Sequence, residues 1–252
     1  MGFFRGLGKF FGSTIFTSFL VVAILLMEMA SFTGYDNFKA IASGLLEKQI
    51  LSTVDEQQLT AIQTALLLQC AQTDKVDLPL GGQSITLKCA DVKSSDKTKL
   101  PTLITTALID NLYYKKFDCS FIDCIRSGDP QNLLVVATNE GNQFYKSSQM
   151  YMWIATGIGL VILLVSSETW VGRLKGVGFN LVFTGLPFLL LGSVQSLLIP
   201  SLPAELESSV KPIIDSLTSS LKNKFIIVLV IGVVLLVVGY ALGFYLSRKG
   251  SK

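Results

Sequence analysis

Four stretches of this chain are apolar, almost free of charge and about as long as a bilayer is thick: residues 13–32, 150–167, 177–199 and 225–246. A helix needs ~20 such residues to cross a hydrocarbon core of ~30 Å. In lipid, every backbone N–H and C=O of a spanning segment must be satisfied within it, so each stretch is expected to be helical. Charged residues make up only 15% of the chain, against about 25% in soluble chains. The chain therefore reads as an integral membrane protein of four spans. The first span is not expected to be a cleaved signal peptide. Cleavage after Ala30 would place Glu28 where a small residue is required.

Orientation follows from the basic residues, which are enriched in short cytoplasmic segments. Arg5 and Lys9 precede the first span, Arg173 and Lys175 lie between the second and third, and Arg248, Lys249 and Lys252 follow the fourth. This distribution predicts a cell-membrane protein with both termini cytoplasmic, a cytoplasmic link at 168–176 and a cytoplasmic tail at 247–252. It leaves 33–149 and 200–224 outside. All four cysteines, Cys70, Cys89, Cys119 and Cys124, fall in 33–149. An even count confined to one outer segment reads as two disulfides. Of the three connectivities, Cys70–Cys89 with Cys119–Cys124 is favoured because each closes a short local loop. A zinc site would want CxxC-type spacing or histidine, and the chain has neither.

Within 33–149 the pattern is mainly helical. Tyr35, Phe38, Ile41, Leu45 and Leu46 recur at helical spacing, as do Leu59, Ile62, Leu66 and Leu67. Thr53 and Glu56 bracket a capping box. Residues 76–80 and 84–87 alternate around Gly81-Gly82 and predict a β-hairpin, with Pro79 making its strand an edge. Residues 91–99 are polar and predict a surface loop. Pro101 suits the first turn of a helix that carries Leu103, Ile104, Ala107, Leu108, Leu112 and Tyr113. Ser127-Gly128-Asp129-Pro130 predicts a turn. The second outer segment, 200–224, is amphipathic, with Leu206, Val210, Ile213, Ile214, Leu217 and Leu221 on one face. The helix is expected to kink near Pro212. The fold class is thus membrane α: four transmembrane helices with a disulfide-stapled, mainly helical (α+β) extracellular domain between spans one and two.

Few residues are candidates for function. Residues 1–12 read as a separate amphipathic helix, with Phe3, Phe4, Leu7, Phe10 and Phe11 on one face beside Arg5 and Lys9. Such a helix either lies in the headgroup layer as an anchor or folds into a pore mouth. Glu28 is the one clear acid near a span, and intramembrane carboxylates are functional candidates by default. It is either a structural or solvated group near the outer end of span one, or lines a pore together with Arg5 and Lys9. Gly239-x-x-x-Gly243, with Gly232 one heptad earlier, allows close helix approach, inside the bundle or between subunits. Pro187 is expected to kink span three.

The negatives narrow the class. The chain has no histidine, the usual general base. It carries no phosphate-binding loop, nucleophile elbow or metal-ligand cluster. No catalytic residue, metal or cofactor is expected. Basic residues are scattered, so nucleic acid is not an expected partner, and the bilayer is.

The stretch SFTGYDNFKAIASGLLEKQI after span one, the ITLKCADVK segment and GLPFLLLG in span three resemble a group of four-span prokaryotic, mainly archaeal, membrane proteins with a helical outer domain. That resemblance implies a fold and no activity. In topology the chain also resembles connexin-type large-pore channels, which share four spans, inside termini, a short N-terminal helix and cysteines in the first outer loop. It departs from them in having no cysteine in 200–224. The expected function is a non-enzymatic homo-oligomer, either a large-pore channel or a cell-surface structural assembly. The alternatives are a membrane thiol–disulfide oxidoreductase and an accessory subunit of a larger membrane complex.

Overall fold

The computed structural model describes residues 2–53, 56–80, 83–95, 99–190 and 204–249. It is mainly helical and divides into two compact units. One comprises Met1–Ala30 with Phe144–Lys252, the other Ser31–Gln143.

The first unit is built from α1 (Gly2–Phe32), α8 (Asn139–Val165), α9 (Trp170–Gly185) and α10 (Ala204–Lys249). Three described segments are long and apolar enough to cross a membrane: Phe3–Phe32, Asn139–Val165 and Ile214–Arg248. Such helices gain little from burying leucine against leucine when lipid is as apolar as they are, so close backbone packing must hold them together. The glycines provide it. A Cβ added at Gly12 would lie 2.8 Å from the backbone nitrogen of Leu163, and one at Gly159 would lie 2.6 Å from that of Phe16. Residues 12 and 16 thus meet 163 and 159, so α1 and α8 pack antiparallel. The same device joins α9 to α10. Gly185 faces Leu229, Gly178 faces Leu236, and Gly239 faces Lys175 and Leu174. Phe16, Leu20, Ile24 and Phe225 form the buried centre of the unit, with Leu160, Leu181 and Phe188 against it.

Several boundaries differ from the sequence reading. Residues 1–12 are not a separate helix, because α1 is continuous from Gly2 through 31 residues. Its early glycines do not break it; Gly12 instead seats it on α8. The second long helix starts at Asn139, not near 150. The segment read as the link 168–176 is helical from Trp170 onward, with Thr169 capping it through a 3.0 Å bond from Gly172 N–H. The α-helix of the third stretch ends at Gly185, and Leu186–Leu190, including Pro187, form a 3₁₀ turn. Residues 191–203, the remainder of that stretch and the start of 200–224, lie outside the described residues. The second amphipathic segment runs through Pro212 into the fourth stretch as one helix of 46 residues.

The second unit contains α2 (Tyr35–Thr53), α3 (Glu56–Gln69), β1 (Lys75–Leu80), β2 (Gln83–Lys88), α4 (Cys89–Ser94), α5 (Leu100–Tyr113), α6 (Phe121–Ser127) and α7 (Pro130–Leu133), followed by a 3₁₀ turn, Leu134–Ala137. The strands pair antiparallel, Val76 opposite Leu87 and Leu78 opposite Ile85. Alternation puts these four on one face, where Val76, Ile85 and Leu87 join Leu66, Val92, Leu100 and Ile104 in the core. On the other face the Thr86 hydroxyl donates to Asp77 at 2.6 Å. The Gly81-Gly82 turn and residues 54–55 of the capping box lie outside the described residues. The polar run 91–99 is not simply a loop. Its first residues belong to α4, because Cys89 is covalently anchored and Val92 is fully buried; residues 96–98 lie outside the described residues.

The disulfides are Cys70–Cys89 and Cys119–Cys124, with Cα–Cα distances of 5.3 and 5.4 Å. The first ties the end of α3 to the start of α4, inside the core. The second staples the approach to α6, which Ser120 caps and Gly128 ends at φ +67, a left-handed conformation that suits glycine. Replacing Cys119 and Cys124 together by Ala is expected to cost about 2 kcal/mol, the chain entropy released by a loop this short. Thermal unfolding of the full chain with and without the pair measures it.

Candidate functional site

Two clusters of polar groups in the first unit involve α1, toward opposite ends of the bundle. Near the end of α1, Glu28 is only 4% exposed. The Lys224 ammonium of α10 forms an ion pair with its Oε1, and the Ser220 hydroxyl donates to Oε2 at 2.8 Å. Ser220 and Lys224 are one helical turn apart, so the i, i+4 geometry of α10 aims both at one carboxylate. A charge taken from water in this way needs a partner and hydrogen bonds, and both come from the same chain.

Near the start of α1 lies a different set. Arg5 forms an exposed ion pair with Glu168, just before α9. Half a span further in, the buried Asn180 of α9 accepts hydrogen bonds from the Ser13 and Thr17 hydroxyls. Its amide donates to Gly176 O at 2.8 Å. The Thr184 hydroxyl donates to Asn180 O at 2.8 Å. Lys175 sits with its ammonium 3.9 Å from the ring centre of Tyr240. A cavity of about 510 Å³ opens here, with Lys9, Ser13, Ser167, Lys175 and Asn180 on its wall.

The three pore-lining candidates are therefore not brought together. Arg5 and Lys9 lie near one end of α1 and Glu28 near the other, about 28–35 Å along the axis at 1.5 Å per residue. Gly232, Gly239 and Gly243 all face α9 of their own chain: a Cβ at Gly232 would lie 2.7 Å from Val182 N, and one at Gly243 would lie 3.2 Å from Val171 Cγ1. The sequence pointed to Lys175 only for orientation and did not single out Asn180 or the glycines Gly12 and Gly159 that seat α1 on α8. The available signal was an amide in an otherwise apolar stretch, since polar side chains in spans are rare and partnered.

The second unit carries its own cluster. The Tyr35 hydroxyl of α2 donates to the Asp110 carboxylate of α5, and its ring packs edge-on against Tyr113 with centroids 5.3 Å apart. Tyr113 in turn donates to Thr33 O at 3.0 Å. The bond to Asp110, then burial, then the Asp110 charge push the Tyr35 phenol up to about 12 from its usual 10. A phenol raised on folding favours the folded state fully below pH 10, and that contribution is lost as pH rises from 10 to 12. Unfolding followed across this window is expected to show a fall in stability that Tyr35→Phe flattens. An unchanged slope in the variant would show that Tyr35 is not the titrating group. A shallow cavity of about 420 Å³ lies alongside, with Lys88, Asp91, Asp110 and Asn111 on its wall.

No family model, no curated protein and no solved structure matches this chain. The chain is a mainly helical protein with three described helices long and apolar enough to cross a membrane and two disulfides.

Proposed function

We propose that this chain is a four-span, non-enzymatic membrane protein. It displays its disulfide-bonded unit on the outer face and works as a homo-oligomeric structural assembly rather than as a channel. The observation that carries this reading is the Glu28–Lys224–Ser220 cluster: the carboxylate that was the candidate to line a pore is paired inside a single chain.

Other features support the parts of the reading. For the fourth span, α9 has 16 residues and the 3₁₀ turn after it has 5. At 1.5 and about 2.0 Å per residue these extend ~34 Å together, the thickness of a hydrocarbon core. Its antiparallel packing on the membrane-length α10 supports the same assignment. For orientation, Arg5, Lys9, Arg173, Lys175 and Arg248 belong to the same end of the bundle, the start of α1 and α9 and the end of α10, as the positive-inside rule asks of a cytoplasmic face. Disulfides suit the opposite, oxidising side.

Against a thiol–disulfide oxidoreductase stand the buried sulfurs. Both sulfurs of Cys70–Cys89 are at most 3% exposed and Cys124 is fully buried, with only Cys119 half-buried, and exchange requires access of an attacking thiolate. With Glu28 paired inside the chain, surfaces are what remain for assembly.

Particle mass in nanodiscs and conductance in planar bilayers test the proposal together. The expected result is a discrete multiple of 27.4 kDa and no unitary conductance. A monomer would sink the assembly reading. Unitary conductance steps that disappear in Glu28→Gln would restore the channel.

A further inference from the structure

We infer that the cavity between α1, α9 and α10 is a site for an anionic phospholipid, its headgroup phosphate held by Lys9 and Lys175 and one acyl chain lying along the groove between α1 and α9.

The charge balance comes first. Neither lysine has a carboxylate partner among the described residues, and no acid lines the cavity. Glu168, the acid nearest in the chain to this wall, is already paired with Arg5. Lys175 is steered by Tyr240 rather than neutralised by it, since a ring face attracts a cation without cancelling its charge. Two uncompensated ammonium groups on one small cavity make a strong local attraction for phosphate, and basic pockets between membrane helices are suited to lipid headgroups.

The shape then selects a lipid over a soluble anion. Beside the lysines the cavity is lined by the apolar side chains of Phe10, Leu163, Phe179 and Leu236. A second cavity, of about 300 Å³, shares Ser13, Phe179 and Asn180 with the first and continues along α1 and α9 past Thr17 and Phe183. Phe179 and Phe183 stack nearly parallel and are 64% and 65% exposed, so this groove opens outward to where acyl chains lie. The hydroxyls and amide on its inner wall already donate to one another or to the backbone. The hydroxyls of Ser13, Thr17 and Ser167 are thereby engaged within the protein. A basic head and an apolar outward-facing tail channel match one molecule of phospholipid.

The test is native mass spectrometry of the full-length protein in mild non-ionic detergent, with equimolar dioleoylphosphatidylglycerol and dioleoylphosphatidylcholine. Phosphatidylglycerol adducts are expected to be retained preferentially. Each lysine removed should lower the preference about fivefold, so Lys9→Gln with Lys175→Gln should nearly abolish it. Lys9→Arg with Lys175→Arg should keep it, and Lys222→Gln, on the Glu28 side of α10, should leave it unchanged. Retained phosphatidylcholine adducts on the double Gln variant serve as its folding control. Equal retention of the two lipids by the unaltered protein would overturn the site. So would a loss of preference in Lys222→Gln as large as in the double variant. Displacement of phosphatidylglycerol by millimolar inorganic phosphate would overturn the lipid assignment in favour of a soluble anion.

Discussion

Replacing Lys224 by Met is expected to destabilise the protein by about 3–5 kcal/mol, because it strands a buried carboxylate without its counter-charge. The opposite change should be milder. Glu28→Gln keeps an oxygen for the Ser220 hydroxyl. It leaves Lys224, whose side chain is 33% exposed against 5% for Glu28, able to reach water. A cost of about 1–2 kcal/mol is expected there, on the scale of a weakened hydrogen bond. Glu28→Gln combined with Lys224→Met should be more stable than Lys224→Met alone, since the charge that made the single change costly is gone. Unfolding by SDS titration from mixed micelles ranks the three variants. Equal costs for the two single changes, or simple additivity in the double, would show that the pair does not neutralise itself. The same ranking bears on function, because a carboxylate that needs Lys224 inside its own chain is not free to face a conduction path.

The second large effect is expected at Gly232. A Cβ there would sit 2.7 Å from Val182 N, 2.8 Å from Leu181 Cβ and 2.9 Å from Gly178 O. Two of these three atoms are backbone, so no rotamer change makes room, and α9 and α10 have to separate. Gly232→Val is expected to cost about 3 kcal/mol, the upper end for overpacking. The matched control is Gly157→Ala in α8. Nothing lies within 4 Å of its Cβ, and replacing a helical glycine by alanine stabilises by about 0.5–1 kcal/mol. If both changes were neutral in the same SDS titration, the α9–α10 contact would not be what holds the bundle. A change in oligomer size with unchanged stability in Gly232→Val would instead move this glycine to a subunit interface.

Much of the local structure was legible because it is written in periodicity. The helical recurrence through Leu59, Ile62 and Leu66 belongs to α3, and the alternation of Val76–Leu78 with Ile85–Leu87 belongs to the hairpin. Pro101 stands in the first turn of α5. The local cysteine pairs are those of the structure, since short loops close at the least entropic cost. Boundaries were less legible. The polar starts of α8 and α9 look like linker in composition, yet nothing in their residues breaks a helix, so each runs on from the apolar stretch beside it. Residues 91–94 look like a loop until Cys89 is bonded and Val92 has somewhere to be buried.

The sequence by itself determined that this chain carries helices long and apolar enough to cross a membrane and that its cysteines sit apart from them. Both follow from composition along one dimension: lipid demands long uncharged helices, and thiols fall on whichever segment carries them. Only the tertiary structure decided what the few polar side chains do. Glu28 and Ser220 are 192 positions apart, Lys224 lies one turn beyond Ser220, and Lys9 and Lys175 are likewise remote along the chain. Whether such groups neutralise each other or stand open to a ligand depends on which helix faces pack together. That packing is set by contacts such as Gly12 on Leu163, Gly159 on Phe16 and Gly178 on Gly232, where a small residue on one helix must coincide in space with the backbone of another, and no spacing along a single helix records the coincidence.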